Sequence, residues 1–207
     1  MTGLREIRKP ASEPLSLEET AAFIRLADES DNRVVERLIA AARYHVEQST
    51  RRCFVTRTLE ATFDEWPIAC RRYNHSRQVQ EPELLLPGSP LVDVVKVQHL
   101  DLDGELQTVD PAIYRTIVNQ EPGRIRRRKN ASWPNTSDEG DSIIVTYRAG
   151  YGEDDDVPSD AKVAMLMLVG HWYENREAVD ISTGGTVTSV PDGFRAIVNN
   201  LTVPRVS

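Results

Sequence analysis

Two helical patterns far apart in the sequence constrain the fold more than any other feature. In segment 32–50, NRVVERLIAAARYHVEQST, apolar residues recur every three or four positions, which places them on one face of a helix. These residues are Val34, Val35, Leu38, Ile39, Ala42 and Val46. Segment 159–178 is apolar on nearly every side in its first half, then becomes aromatic and charged. Both helices carry apolar side chains that must be covered, so we expect them to pack against each other in one core.

The residues before the first long helix predict a short helix and a mobile arm. Ser16 and Glu19 have the spacing of a capping box, which favours a helix to about residue 27. Asp31 is a good N-cap for the long helix that follows. Residues 1–14 mix charges with prolines and show no period, so we interpret them as a flexible arm.

Between the two long helices the apolar period changes from about four to two. Leu59, Ala61 and Phe63 alternate with polar residues, as in a half-buried strand. Asp103-Gly104 is a strong hairpin signal, because glycine accepts a positive φ without steric cost. The sequence therefore predicts an α+β fold in which a helical core carries an inserted small antiparallel sheet. The expected parts are the arm 1–14, the N-terminal helix pair 15–55, the β insertion 56–151, the long C-terminal helix 157–180, and a flexible linker and tail 181–207.

Composition excludes several classes of protein. The chain has 207 residues, 40% of them hydrophobic and 28% charged, as in ordinary globular proteins. A net charge of -7 argues against binding nucleic acid over the whole surface. The N-terminus lacks the pattern of a signal peptide, and the longest apolar run is too short to cross a bilayer. The two cysteines, Cys53 and Cys70, have no metal-binding spacing, so we interpret them as reduced thiols.

No segment predicts a catalytic or metal site. His171 and Glu174 could share a metal, but no second ligand motif accompanies them, so a packed histidine beside a surface carboxylate is favoured. The segment 101–110 begins like a calcium loop but lacks the later acids, which favours a hairpin turn. The acidic run 153–156 suits the start of the helix that follows it. No cofactor is expected.

One basic run, RIRRRK at 124–129, stands out in this acidic chain. If it forms a strand, Arg124, Arg126 and Arg128 share one face. They could contact DNA phosphates, pair with an acidic neighbouring subunit, or remain solvated. The net acidity of the chain favours the neighbour over DNA.

A series of motifs in a fixed order resembles a known family. The motifs are LSLEETAAFIRL, VVERLIAAARYHVEQSTRRC, LEATFDEWP, LLLPGSPLVDVVKVQHLDLDGELQTVDPAIYRT, VTYRAGYGEDDDVPSDAKVAMLMLVGHWYENREAV and VPDGFRAIVNNL. Together they resemble the head–tail connector (adaptor) proteins of long-tailed bacteriophages and of phage-derived gene transfer agents. The resemblance covers residues 15–201, while 69–83 and 133–141 match no family motif.

The resemblance implies a structural protein without catalysis. Such adaptors are made in the bacterial cytoplasm and form a ring, here expected to be dodecameric, beneath the portal protein of a DNA-filled head. The ring extends the channel for genomic DNA and presents a surface to the stopper and tail-proximal proteins; no membrane is involved. The alternative function is a metal- or DNA-binding accessory factor in virion assembly.

The resemblance also suggests where the contacts between subunits lie. The polar-tipped end of the long C-terminal helix is a candidate subunit interface, although Trp172 could instead pack within its own chain. These interface candidates are Trp172, Tyr173, Asn175 and Arg176. The C-terminal segment is expected to dock on a neighbouring ring through Val190, Pro191, Phe194, Ile197 and Leu201. On this view, deleting residues 190–207 leaves the chain folded.

Overall fold

The computed structural model describes residues 3–67, 82–175 and 192–204. Within them the chain divides into two compact units. The helical unit comprises residues 10–55 and 151–203, and the β unit comprises residues 56–150 with the described residues of both chain ends, 3–9 and Pro204. The predicted combination of helices with antiparallel strands is confirmed.

The described part of the helical unit contains four α-helices. They are α1 (Leu17–Phe23), α2 (Asn32–Thr50), α3 (Ser159–Glu174) and α4 (Asp192–Leu201). Helix α1 begins at Ser16, whose Oγ accepts a hydrogen bond from the Glu19 backbone N–H at 3.0 Å, as the capping-box spacing predicts. A 3-10 turn, Glu29–Asp31, leads directly into α2.

The apolar stripes of α2 and α3 belong to one buried cluster. From α2 the cluster takes Val35, Ile39, Ala42 and Val46, all at most 3% exposed. From α3 it takes Ala161, Ala164, Met165, Leu166, Leu168 and Val169, and it also includes Phe54 and Val157. Val34, which has the same apolar character, is 38% exposed and lies off this stripe. Tight interdigitation of these side chains is what fixes the helices in one arrangement.

The C-terminal segment is part of this core, which corrects the prediction that residues 190–207 add little to it. Phe194 and Val198 of α4 are 5% and 9% exposed and belong to the same cluster. Val203, beyond the helix, is 3% exposed, and its N–H donates to the Thr50 carbonyl at 2.9 Å. An apolar stripe with helical spacing fits core packing as well as docking, and here it covers the apolar cluster of its own chain.

Two consecutive arginines at the end of α2 bind the last residue of α4 and the chain that follows it. Arg51 adopts a left-handed conformation with φ of 59°, which ends the helix. Its Nη1 donates to the Val203 carbonyl at 2.7 Å, and the Arg52 Nε donates to the Leu201 carbonyl at 2.6 Å. Arg52 Nη1 also donates to the Tyr151 hydroxyl at 2.8 Å. Hydrogen bonds from charged donors are stronger than neutral ones, so this arginine pair holds the C-terminal segment firmly.

The described part of the β unit contains two antiparallel sheets, where the sequence predicts only one. The first has the order β1-β2-β8-β4-β5 and the second β3-β7-β6. The strands of the first sheet are β1 (Gly3–Arg8), β2 (Arg57–Phe63), β4 (Leu91–Leu100), β5 (Leu106–Thr108) and β8 (Ile143–Ala149). Those of the second are β3 (Glu83–Leu86), β6 (Tyr114–Ile117) and β7 (Gly123–Arg127).

The two sheets approach closely at Gly123. A Cβ built on this residue of β7 would lie 2.3 Å from the Leu91 Cβ of β4, which is closer than two non-bonded carbon atoms can approach. The site therefore requires glycine. Ile125, the next inward-facing residue of β7, is completely buried.

Residues 3–8 form a strand and not part of a mobile arm, which corrects a second prediction. Strand β1 pairs antiparallel with β2 in the register Gly3↔Thr62 and Leu4↔Ala61. An ion pair of 2.7 Å between Arg5 and Glu60 joins the same two strands. Most of β1 is exposed, so it lacks the apolar alternation by which a strand is predicted, and backbone hydrogen bonds provide the pairing instead.

The hairpin predicted at 103–104 joins β4 to β5. The Asp101 carboxylate accepts backbone N–H groups from Asp103 and Glu105 at 3.0 and 2.9 Å, and the Gln107 amide at 2.9 Å. The hydrogen bond from Gln107, followed by that from the Glu105 N–H, lowers the pKa of Asp101. The carboxylate that opens the calcium-like sequence is thus occupied in building the turn.

A surface ion pair in the first sheet predicts how acid affects stability. Arg148 of β8 donates from Nε to Asp93 of β4 at 2.8 Å, and this side-chain hydrogen bond lowers the pKa of Asp93 below 3.8. A lowered carboxyl pKa contributes stability above the unfolded-state value and loses it as the pH falls through the folded-state value. The side chains of Asp93 and Arg148 are 45% and 50% exposed, so the ion pair contributes little to stability.

Asp93→Asn is therefore expected to decrease the free energy of unfolding slightly at neutral pH. The difference from wild type should shrink as the pH falls through the folded-state pKa of Asp93, since the carboxyl is then protonated in both states. Urea unfolding over a series of pH values from neutral to acid measures it. A difference that persists unchanged in acid would show that the ion pair is not its source.

Candidate subunit interface

The polar-tipped end of α3, predicted to be an interface, makes contacts within its own unit. Trp172 is partly buried against the apolar cluster, and its ring meets the His45 ring of α2 edge to face at 6.1 Å. Tyr173 donates its hydroxyl to Asp31 Oδ2 at 2.9 Å. Asn175 ends the helix, since its Nδ2 donates to the His171 carbonyl at 2.8 Å. Arg176 lies outside the described residues.

Asp31 occupies the predicted cap position of α2 but has a different role. Its side chain makes no capping hydrogen bond to the helix and accepts the Tyr173 hydroxyl instead. The start of α2 and the end of α3 are thus joined by a polar contact beside the apolar cluster. Trp172 and Tyr173 remain partly exposed, so their role between subunits stays a prediction.

Sequence analysis missed an apolar strip on the outer face of α2. Val34, Ala41 and Tyr44 are spaced by seven and three residues, lie on one side of the helix, and are exposed. Tyr44 is 62% exposed, the largest value among the large apolar side chains of α2. The strip was detectable as a second helical period, but the stronger inward stripe of α2 masks it. An exposed tyrosine surrounded by small apolar residues is typical of protein–protein contacts.

The second sheet has one apolar and one basic face. Leu84, Leu86, Ile125 and Tyr114 lie on the buried face. The opposite face carries Arg124 and Arg126 of β7, Arg115 of β6, and Glu83 of β3. We call these four residues the basic face. Three guanidinium groups and one carboxylate give it a net positive charge in a chain whose net charge is -7.

The structure brings together two of the three predicted arginines. Arg124 donates to Glu83 Oε2 at 2.9 Å, and Arg126 donates to Glu83 Oε1 at 2.6 Å from its Nε. Arg128 follows the strand and donates to the Tyr114 carbonyl at 3.0 Å. Sequence analysis missed Arg115 and Glu83, because cross-strand neighbours are not adjacent in the sequence.

Tryptophans in two connecting segments of the β unit form an aromatic stack. The rings of Trp66 and Trp133 lie 4.2 Å apart and are parallel within 1°. Trp66 also donates its Nε1 to the Pro134 carbonyl at 2.9 Å. The stack holds part of segment 133–141, which matched no family motif, against the end of β2.

The described residues contain no grouping suited to a metal. Within residues 3–67, 82–175 and 192–204, no three histidine, cysteine or acidic side chains converge on one point. No helix in these ranges combines the length and the apolar character needed to span a bilayer. The acids at 153–156 form a 3-10 turn in which Asp156 accepts the Glu153 N–H at 3.0 Å.

Chains with this fold occur in gene transfer agent (GTA) particles. A chain in the neck of an empty GTA particle computed with C6 symmetry is 19% identical, with a TM-score of 0.76 over 100% of this chain and 98% of that one. A chain in the virion of a native GTA particle is 20% identical, with a TM-score of 0.75 over the same shares. A chain in the neck of a native GTA particle computed with C12 symmetry is 18% identical, with a TM-score of 0.69 over 100% of this chain and 98% of that one. These likenesses show a shared fold.

Sequence comparison identifies the family. None of the curated proteins matches this chain. A family model described as head completion protein matches residues 13–200, which include most of both compact units. The match extends over nearly the whole chain, and therefore the chain belongs to the head completion protein family.

Proposed function

We propose that this protein is a structural subunit of the head–tail junction in a tailed phage or gene transfer agent particle. The observation that carries the proposal is the family match over residues 13–200, supported by fold similarity to chains of GTA necks and virions along their whole length. On this proposal the protein acts at the opening of the DNA-filled head, where the tail is joined. Its task there is to assemble, and the described surfaces suit assembly better than chemistry.

The proposal includes a ring below the portal protein. In this ring the subunits extend the channel for genomic DNA and present a platform to the stopper and the tail. Necks computed with sixfold and with twelvefold symmetry each contain a chain of this fold, and both symmetries are compatible with the twelve subunits proposed here. The candidate contacts between subunits are the outer strip of α2 and the partly exposed end of α3, because both combine aromatic and polar groups.

The proposal for the C-terminal segment keeps fewer docking residues than the sequence predicts. Val190 and Pro191 lie outside the described residues. Phe194 is buried in its own unit and is excluded as a docking residue in this conformation. Ile197 and Leu201 pack against the same cluster and are only partly buried, so they retain some surface for a neighbouring ring.

Particles assembled without this chain test the proposal. We expect the producing cells to make DNA-filled heads that lack tails, and expression of the full chain in trans to restore tailed particles. Cryo-electron microscopy of particles carrying a labelled chain should place the label between head and tail. A label on the capsid shell or the distal tail would overturn the proposal, and so would normal tailing without the chain.

A further inference from the structure

The basic face contains a like-charge pair that its own unit does not neutralise. Arg115 and Arg126 are directly opposite each other on β6 and β7, a position in which like charges destabilise a sheet. Arg126 is compensated by Glu83. Arg115 is exposed, and no described residue forms an ion pair or side-chain hydrogen bond with it. An added anion would relieve this repulsion.

The surface beside this pair is shaped to receive such an anion. An open depression of about 340 Å³ lies there, and its lining includes two guanidinium groups and no carboxylate. Its lining residues are Arg115, Thr116, Ile117, Asn119, Gln120 and Arg126. Guanidinium groups bind carboxylates through paired hydrogen bonds, and Glu83 already shows that mode on this face.

We propose that the basic face receives the acidic turn 153–156 of the adjacent copy of this chain, with Asp155 opposite Arg115. This inference rests on the proposed ring function. The turn lies in the helical unit and the basic face in the β unit, so each subunit offers two different patches. Head-to-tail contacts between different patches are those that close a ring.

The acidic turn is a suitable occupant among the described residues. It has four consecutive acids, and Asp156 is used to cap the turn itself. The carboxylates of Asp154 and Asp155 have no ion pair or hydrogen bond to a described residue, and Asp155 is exposed. In two other acidic segments, by contrast, Asp31 is bonded to Tyr173 and Asp101 to its own hairpin.

Duplex DNA is a weaker occupant for this face. Glu83 lies among the arginines and would face the phosphates, and the chain as a whole is acidic. A short acidic peptide segment can approach Arg115 from the side of the depression without meeting that carboxylate. The test below includes DNA as a separate outcome.

A charge exchange between two residues tests the contact. Arg115→Glu and Asp155→Arg each place like charges in the interface, so each should reduce the yield of tailed particles by about tenfold or more. The double variant restores opposite charges at every contact of the ring, and we expect it to recover most of the yield. In the isolated chain, Arg115→Glu replaces the repulsion with Arg126 by attraction, so the melting temperature should not fall.

Matched controls separate the contact from general charge effects. Arg8→Glu reverses an exposed arginine outside the basic face and should leave the yield unchanged. Asp138→Arg reverses an exposed acid of another cluster and should not rescue Arg115→Glu. Rescue by Asp138→Arg in place of Asp155→Arg would overturn the assignment of the acidic turn.

Two further outcomes would also overturn the inference. One is a full yield from Arg115→Glu. The other is a failure of the double variant to recover, accompanied by loss of duplex DNA binding in a gel shift, which would assign the face to DNA. In each case a label at the head–tail junction would leave the proposed function intact, whereas a label elsewhere would refute that function itself.

Discussion

Phe194→Ala is expected to destabilise the helical unit by about 3–5 kcal/mol, the usual loss when a buried phenylalanine is truncated. Phe194 is 5% exposed in the cluster that joins α2, α3 and α4, and its ring lies 6.2 Å from that of His45. Removing the ring leaves a cavity at the only α-helix that the described C-terminal segment contributes. Urea unfolding of the full chain measures the loss.

Arg195→Ala is the matched control, since its side chain is exposed on the same helix and should change stability by less than about 0.5 kcal/mol. Deleting residues 192–207 should have a larger effect than Phe194→Ala, because it also removes Val198, Val203 and the carbonyls bound by Arg51 and Arg52. A deletion variant that unfolds at the wild-type urea concentration would show that the segment is a docking element, as the sequence alone suggests.

Arg43→Met is expected to cost about 3 kcal/mol, because it removes the charged partner of one oxygen of a buried carboxylate. Glu47 is 5% exposed, and its two carboxylate oxygens have different partners. One accepts the Phe54 N–H at 2.9 Å and the other accepts Arg43 Nη1 at 3.0 Å. Burial lowers the pKa of Arg43, but the pairs with Glu13 and Glu47 outweigh burial and raise it, so the arginine stays charged throughout.

A second substitution separates charge from packing at this site. Glu47→Gln keeps an oxygen for the Phe54 N–H and removes the negative charge, so the double variant Arg43→Met, Glu47→Gln should recover much of the lost stability. Arg37→Met, on the exposed side of α2, is the control and should be close to neutral. If the double variant is as unstable as Arg43→Met alone, the loss comes from packing of the arginine stem.

Local patterns in the sequence predict much of the secondary structure of this fold. The period of four identifies α2 and the period of two identifies β2. The apolar run in segment 159–178 identifies α3, and the glycine at 104 identifies the hairpin, because each signal lies within a few neighbouring residues. Strand β1 was missed, since its pairing depends on the backbone of β2 more than fifty residues away. For α4, the same spacing fits a core helix and a docking helix, and only the uncovered cluster on α2 and α3 decides between them.

Prediction of the contact surfaces was limited in the same way. Alternation along one strand placed Arg124 and Arg126 together, and the structure agrees. Their carboxylate partner Glu83 and the opposing Arg115 come from two other strands, so strand register was needed to find them. Trp172 shows the converse case, where an aromatic side chain that suits an interface also packs on a histidine of its own unit.

The N-terminal strand has a consequence for solubility. Strand β1 covers the outer edge of β2, whose Leu59, Ala61 and Phe63 would otherwise border an open row of peptide groups. The edge of the sheet is then β1 itself, which is charged, with exposed Arg5 and Arg8 and the neighbouring exposed Lys9. Positively charged side chains on an edge strand discourage the sheets of separate molecules from pairing edge to edge. Under the proposed function, in which many copies accumulate before assembly, this charged edge would protect the subunit from unlimited strand-to-strand polymerisation.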